Sequence, residues 1–110
     1  MANAMIHCVY IDACPNSVCE ALVAGCPVIC TNMGGQVELV SRIDPDAIVH
    51  CDSWDFRKRN RRKQPPVDTR AVAEQIVRHA ADKKPFDASF LHIDNIAKQY
   101  LEFFERVLND

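Results

Sequence analysis

The chain has 110 residues, 48% of them apolar and 25% charged, with a formal net charge of −2. That balance is ordinary for a globular protein and excludes a global electrostatic pull toward nucleic acid or an anionic membrane. The length suits one small domain with a modest core; no apolar run reaches the ~20 residues of a bilayer-spanning helix, and MANAMIHCVY lacks the basic region of a secretory leader.

Residues 4–11 form an apolar run with Ile6, Val9, Tyr10 and Ile11. Such continuity predicts a strand covered on both faces, as in a parallel sheet. His7, inside this run, reads as a satisfied core or loop-edge histidine in preference to a catalytic one. Asp12 to Ser17 is then a loop, because Pro15 fixes its own φ and disfavours helix at Cys14. Asn16 or Ser17 is the candidate cap for a helix over 17–24. Val18, Leu22 and Val23 give it an apolar stripe, and Gly25 followed by Pro27 ends it.

A second short strand is expected over 27–31, parallel to the first across that helix. Gly34 and Gly35 follow in a turn that admits positive φ and close backbone approach. A short helix is expected over 36–42, a turn over 43–46 and a third strand over 47–51. Residues 52–68 are polar and proline-terminated, with the bases of 57–63 at their centre. They read as an exposed basic loop, 53–67. Its alternatives are a nucleic-acid patch and a set of bases facing a diphosphate. Asp68 is placed to cap a helix over 69–82, whose stripe is Val72, Ala73, Ile76, Val77 and Ala80. A longer amphipathic helix over 93–108 carries Ile93, Ile96, Ala97, Tyr100, Leu101, Phe104, Val107 and Leu108 and is expected to pack on the core. Strands alternating with helices predict an α/β layer fold with a parallel sheet.

The six cysteines are Cys8, Cys14, Cys19, Cys26, Cys30 and Cys51. Without a C-x-x-C pair they lack zinc-ligand spacing, and without a leader they favour buried apolar roles in a reducing, cytoplasmic setting over a disulfide framework.

Chemistry concentrates in Asp12 to Gly35. In an open parallel sheet ligands sit at the carboxyl ends of the strands, and a helix start there offers unpaired amides and a positive dipole end to phosphate. Glu20, one turn into the helix, suits paired hydroxyls such as those of a ribose. Asp12 reaches toward a further hydroxyl-bearing group. Both acids read equally well as dipole-complementing residues at a helix start.

The ordered pieces Asp12-x7-Glu20, then Glu20-Ala21-Leu22-Val23-Ala24-Gly25-Cys26-Pro27-Val28-Ile29, then Gly34-Gly35-Gln36-Val37-Glu38, and a closing Ala97 to Phe104, resemble the donor-binding C-terminal half of GT-B glycosyltransferases, in particular the retaining family-4 type. The resemblance implies a three-layer Rossmann-like parallel sheet with about three strands retained, residues 1–110 forming one partial C-terminal domain. It implies transfer of a hexosyl group from a nucleotide diphosphate sugar, without a metal or other cofactor. Glu20 would hold the ribose and Asp12 would contact the transferred sugar. The amides of Asn16, Ser17 and Val18 would approach the phosphates, with Gly34 and Gly35 lining the cleft. Two positions depart from the pattern: Asp12 stands for a glutamate, and Pro15 for a residue that often supplies an amide. The resemblance also implies that the acceptor domain and the first part of the donor domain, with its basic pair, are absent. The chain alone is then expected to be inactive. Its first strand would form an unpaired apolar edge that favours a homodimer or a missing N-terminal partner. The alternative is a non-catalytic binding or assembly module derived from such an enzyme.

Overall fold

A computed structural model describes residues 2–10, 12–51 and 66–110. Three strands, β1 (Met5–His7), β2 (Val28–Thr31) and β3 (Ile48–Val49), form one sheet in the order β1-β2-β3. Both pairings are parallel: Met5 lies opposite Val28, His7 opposite Cys30, and Thr31 opposite Val49. Helix α1 (Asn16–Val23) connects the first two strands. Helix α2 (Gln36–Ser41) and a 3-10 turn over Pro45–Ala47 connect the second and third. Helices α3 (Thr69–Ala81) and α4 (Ile93–Asn109) complete the chain. The architecture is mixed α/β around a small parallel sheet, as the alternation of elements predicts.

The core forms where apolar stripes meet the middle strand. All four residues of β2 are buried. Val28 and Cys30 share one cluster with Val18 and Leu22 of α1, Val40 of α2, Ala47 and Ala88. Strand alternation turns Ile29 and Thr31 to the opposite face. Helix α1 ends where the sequence predicts, with Gly25 at φ 77° directly after the Ala24 cap, a backbone shape that costs glycine no steric strain.

Several expectations are corrected. The first strand spans three residues, with Ile6 47% exposed, so it is not covered on both faces; its place at the edge of the sheet is as expected. It stops early because the Val9 carbonyl is taken by side chains: Thr31 Oγ1 donates to it at 3.3 Å and Gln36 Nε2 at 2.8 Å. Among the described residues no strand pairs with its outer edge. His7 is buried, yet its Nε2 has no partner among the described residues. Neither Asn16 nor Ser17 caps α1. Pro15 precedes the helix and no side chain caps it, since Pro15 can supply only its carbonyl, which accepts from Val18 N and Cys19 N.

The cysteines are not uniformly interior. Only Cys30 is buried, while Cys8 and Cys14 are exposed. Helix α3 is capped by Asp68 as predicted, Oδ1 accepting from Ala71 N at 3.0 Å. Its stripe, however, is loosely held: Ile76 and Val77 are exposed and His79 is the buried residue. The strongest correction concerns α4. It has no buried residue, and Tyr100, Leu101, Phe104, Val107 and Leu108 are all more than half exposed. Amphipathic patterning records a face that needs cover without stating what covers it. The basic cluster at 57–63 lies outside the described residues.

Candidate functional site

The site is built from two connections that leave the same end of the sheet. The first follows β1 and contains Asp12, Ala13 and Cys14; the second follows β2 and contains Gly34 and Gly35. They touch directly. Gly35 N donates to the Asp12 carbonyl at 2.7 Å. A Cβ at Gly35 would overlap the Ala13 carbonyl, and one at Gly34 would stand 2.6 Å from the Asp12 carbonyl oxygen. Gly34 also has φ 83°. The two glycines therefore serve different needs: a left-handed turn at Gly34, and backbone-on-backbone contact at Gly35.

The Asp12 carboxylate folds back on its own loop, Oδ1 accepting from Cys14 N at 3.2 Å. This Asx-type turn sets the approach to α1, and no described residue bonds Oδ2. Helix α1 starts without a side-chain cap, so its first amides face outward unanswered by a protein side chain. Of the three amides singled out in the sequence, Val18 N is already bonded to the Pro15 carbonyl at 3.1 Å, and the Val18 side chain is fully buried. Asn16 and Ser17 are exposed and supply the open amides. Glu20 is exposed one turn further on, and its backbone carbonyl accepts from Ala24 N. The fold thus joins Asp12, Gly34 and Gly35 in one contact and sets Asn16 and Ser17 beside them. It records no direct contact between Asp12 and Glu20.

Three supporting residues carry more of this geometry than their sequence positions announce. Gln36 is fully buried, and its Nε2 ties the second connection to the Val9 carbonyl at 2.8 Å, while its Oε1 has no partner among the described residues. Thr31 adds a second donor to the same carbonyl. Asn32 joins the ends of β2 and β3: its Oδ1 accepts from Cys51 N at 2.9 Å and its backbone N donates to the Val49 carbonyl at 3.0 Å. A glutamine directly after a glycine pair was the available signal for Gln36; its burial comes from tertiary packing.

A recess of about 450 Å³ lies elsewhere, beside Pro27 at the amino end of β2. Within it Arg78 Nη2 bonds Asp44 Oδ2 at 2.6 Å, and His79 Nε2 lies 3.5 Å from the same oxygen. This is a brace between α3 and the segment after α2. Among the described residues no group of three or more His, Cys, Asp or Glu side chains is arranged to hold a metal ion, and no helix is long and apolar enough to cross a membrane.

No protein-family model, curated protein or solved structure matches this chain.

Proposed function

We propose that this chain is the nucleotide-sugar-binding part of a glycosyltransferase, of the GT-B, family-4 kind that its motif order resembles. One observation carries the reading: the Asp12–Cys14 loop packs on the Gly34–Gly35 turn beside the uncapped start of α1. That is the end of a parallel sheet where ligands dock. The amides of Asn16 and Ser17 offer hydrogen bonds and a positive dipole end to the donor diphosphate. Glu20 accepts from the ribose hydroxyls, and Asp12 Oδ2 contacts the sugar to be transferred. Charge developing on the departing diphosphate is stabilised by these fixed amides. The acceptor side of the cleft belongs to a partner or to a preceding domain, so the chain alone binds donor without turning it over. The uncovered faces of β1 and α4 favour one further reading, a non-catalytic assembly module with the same ancestry.

Calorimetry with UDP-glucose and GDP-mannose tests the donor reading. Removing a charged hydrogen-bonding partner costs about 1.5–3 kcal/mol, so Glu20→Ala is expected to weaken binding by about 10- to 150-fold. Binding that is equally tight in the variant would remove Glu20 from the site. A folded chain that binds neither donor, while joining a partner protein, would favour the assembly module.

A further inference from the structure

The start of α1 holds two thiols in a defined relation. Pro15 immediately precedes the first helical residue, so Cys14 stands at N′ and Cys19 at N4. Side chains at these two positions meet across a helix start, the contact that usually closes an apolar staple; here both are cysteine. The backbone fixes their spacing, with Cys14 N bonded to Asp12 Oδ1 at 3.2 Å and Cys19 N to the Pro15 carbonyl at 3.2 Å. Cys14 is exposed and Cys19 half-buried. Burial first, and then the neighbouring Cys14 thiol, pushes the Cys19 pKa up. Cys30 is buried beside Cys8, and burial pushes it up to about 12, which withholds the thiolate that exchange requires. Cys26 Sγ faces the Pro27 carbonyl.

We propose that Cys14 and Cys19 are a redox-active dithiol, closed to an intramolecular disulfide by exchange with a disulfide of the oxidised-glutathione class. The exposed Cys14 thiol gives its proton to solvent, and its thiolate attacks one sulfur of the oxidant. The oxidant's S–S bond breaks and one glutathione leaves, taking up a proton. Cys19 then loses its proton and attacks Cys14 Sγ in the mixed disulfide, expelling the second glutathione. Two protein thiols are oxidised to one disulfide, and one glutathione disulfide is reduced to two thiols. The order follows from access, since Cys14 is exposed and Cys19 is the better shielded of the two. The cross-link ties the Asp12–Cys14 loop to the first turn of α1. Under the donor reading it would also fix the spacing between Asp12 and the amides of Asn16 and Ser17; the disulfide itself does not rest on that reading.

The test treats the folded full chain with oxidised glutathione, alkylates the remaining thiols and maps the cysteines by peptide mass spectrometry. The expected product is an internal Cys14–Cys19 link with the protein lighter by two hydrogens and the other cysteines alkylated. Cys19→Ser is expected to stop at a stable glutathione adduct on Cys14, and Cys14→Ser to leave Cys19 alkylated. Wild-type protein that stops at the Cys14 adduct, remains fully alkylated, or links Cys14 to another cysteine would overturn the proposal. Donor titration of the reduced chain reports on the binding reading separately.

Discussion

The contact between Gly35 and the Ala13 carbonyl makes the sharpest stability prediction, because a second glycine provides its control. In Gly35→Ala the new methyl group has no room: it overlaps backbone, which cannot rotate aside. The loop must move off the turn, at a cost of about 1–3 kcal/mol for overpacking. The 2.7 Å bond from Gly35 N to the Asp12 carbonyl is lost with it, at about 1 kcal/mol. Together these give about 2–4 kcal/mol. Gly25→Ala differs in kind. Nothing lies within 4 Å of its Cβ position, so only the left-handed backbone at φ 77° is penalised, by about 1–2 kcal/mol. Urea unfolding followed by circular dichroism measures both; at about 1 kcal/mol per molar urea, Gly35→Ala should lower the midpoint roughly twice as far as Gly25→Ala. A Gly35→Ala protein as stable as Gly25→Ala would refute the close approach on which the site geometry depends.

Two further predictions follow from burial. Phe104→Ala, on the uncovered face of α4, should cost within about 0.5 kcal/mol, whereas Leu22→Ala in the core should cost about 2–5 kcal/mol; similar losses in urea would mean that α4 is covered in solution. Burial raises the Cys30 pKa from 9.0 to about 12, so the unfolded chain gives up this proton first as pH rises. Stability from Cys30 is therefore complete below about pH 9 and declines toward pH 12, by at most about 4 kcal/mol, and thermal melts of Cys30→Val should show a flatter alkaline limb than wild type.

The sequence patterns that proved legible were those set locally. Asp68 before an apolar stripe predicted a capped helix, and the side chain bonds Ala71 N as a cap does. Gly25 predicted a helix end and the Gly34–Gly35 pair a turn admitting positive φ; Gly25 and Gly34 have positive φ, whereas Gly35 stands at φ −72°. The β-α-β order predicted parallel pairing, which the register shows. What escaped depends on contacts distant in sequence. An apolar run from 4 to 11 cannot disclose that Thr31 and Gln36 will claim the Val9 carbonyl and end the strand. Pro15 displaced the polar caps expected at Asn16 and Ser17, because its fixed φ suits the residue before the helix. Cysteine is small and apolar enough for a core, yet hydrophobicity alone does not separate buried Cys30 from exposed Cys14. The stripe of α4 predicts a helix, which forms, but not its burial, since periodicity is blind to whether a partner surface exists in the same chain.

For the candidate site, the contact between the glycine pair and the loop is a tertiary feature that the structure adds, while the roles of Glu20 and Asp12 stand as proposals about a ligand. The most direct measurement is a titration of the isotopically labelled chain with UDP-glucose and GDP-mannose, read as amide chemical-shift changes. The donor account predicts changes concentrated at Asp12 to Glu20 and at Gly34 to Gln36, with Asn16 and Ser17 among the largest. Saturating either donor with no change there, or changes centred instead on the recess around Asp44, Arg78 and His79, would contradict it.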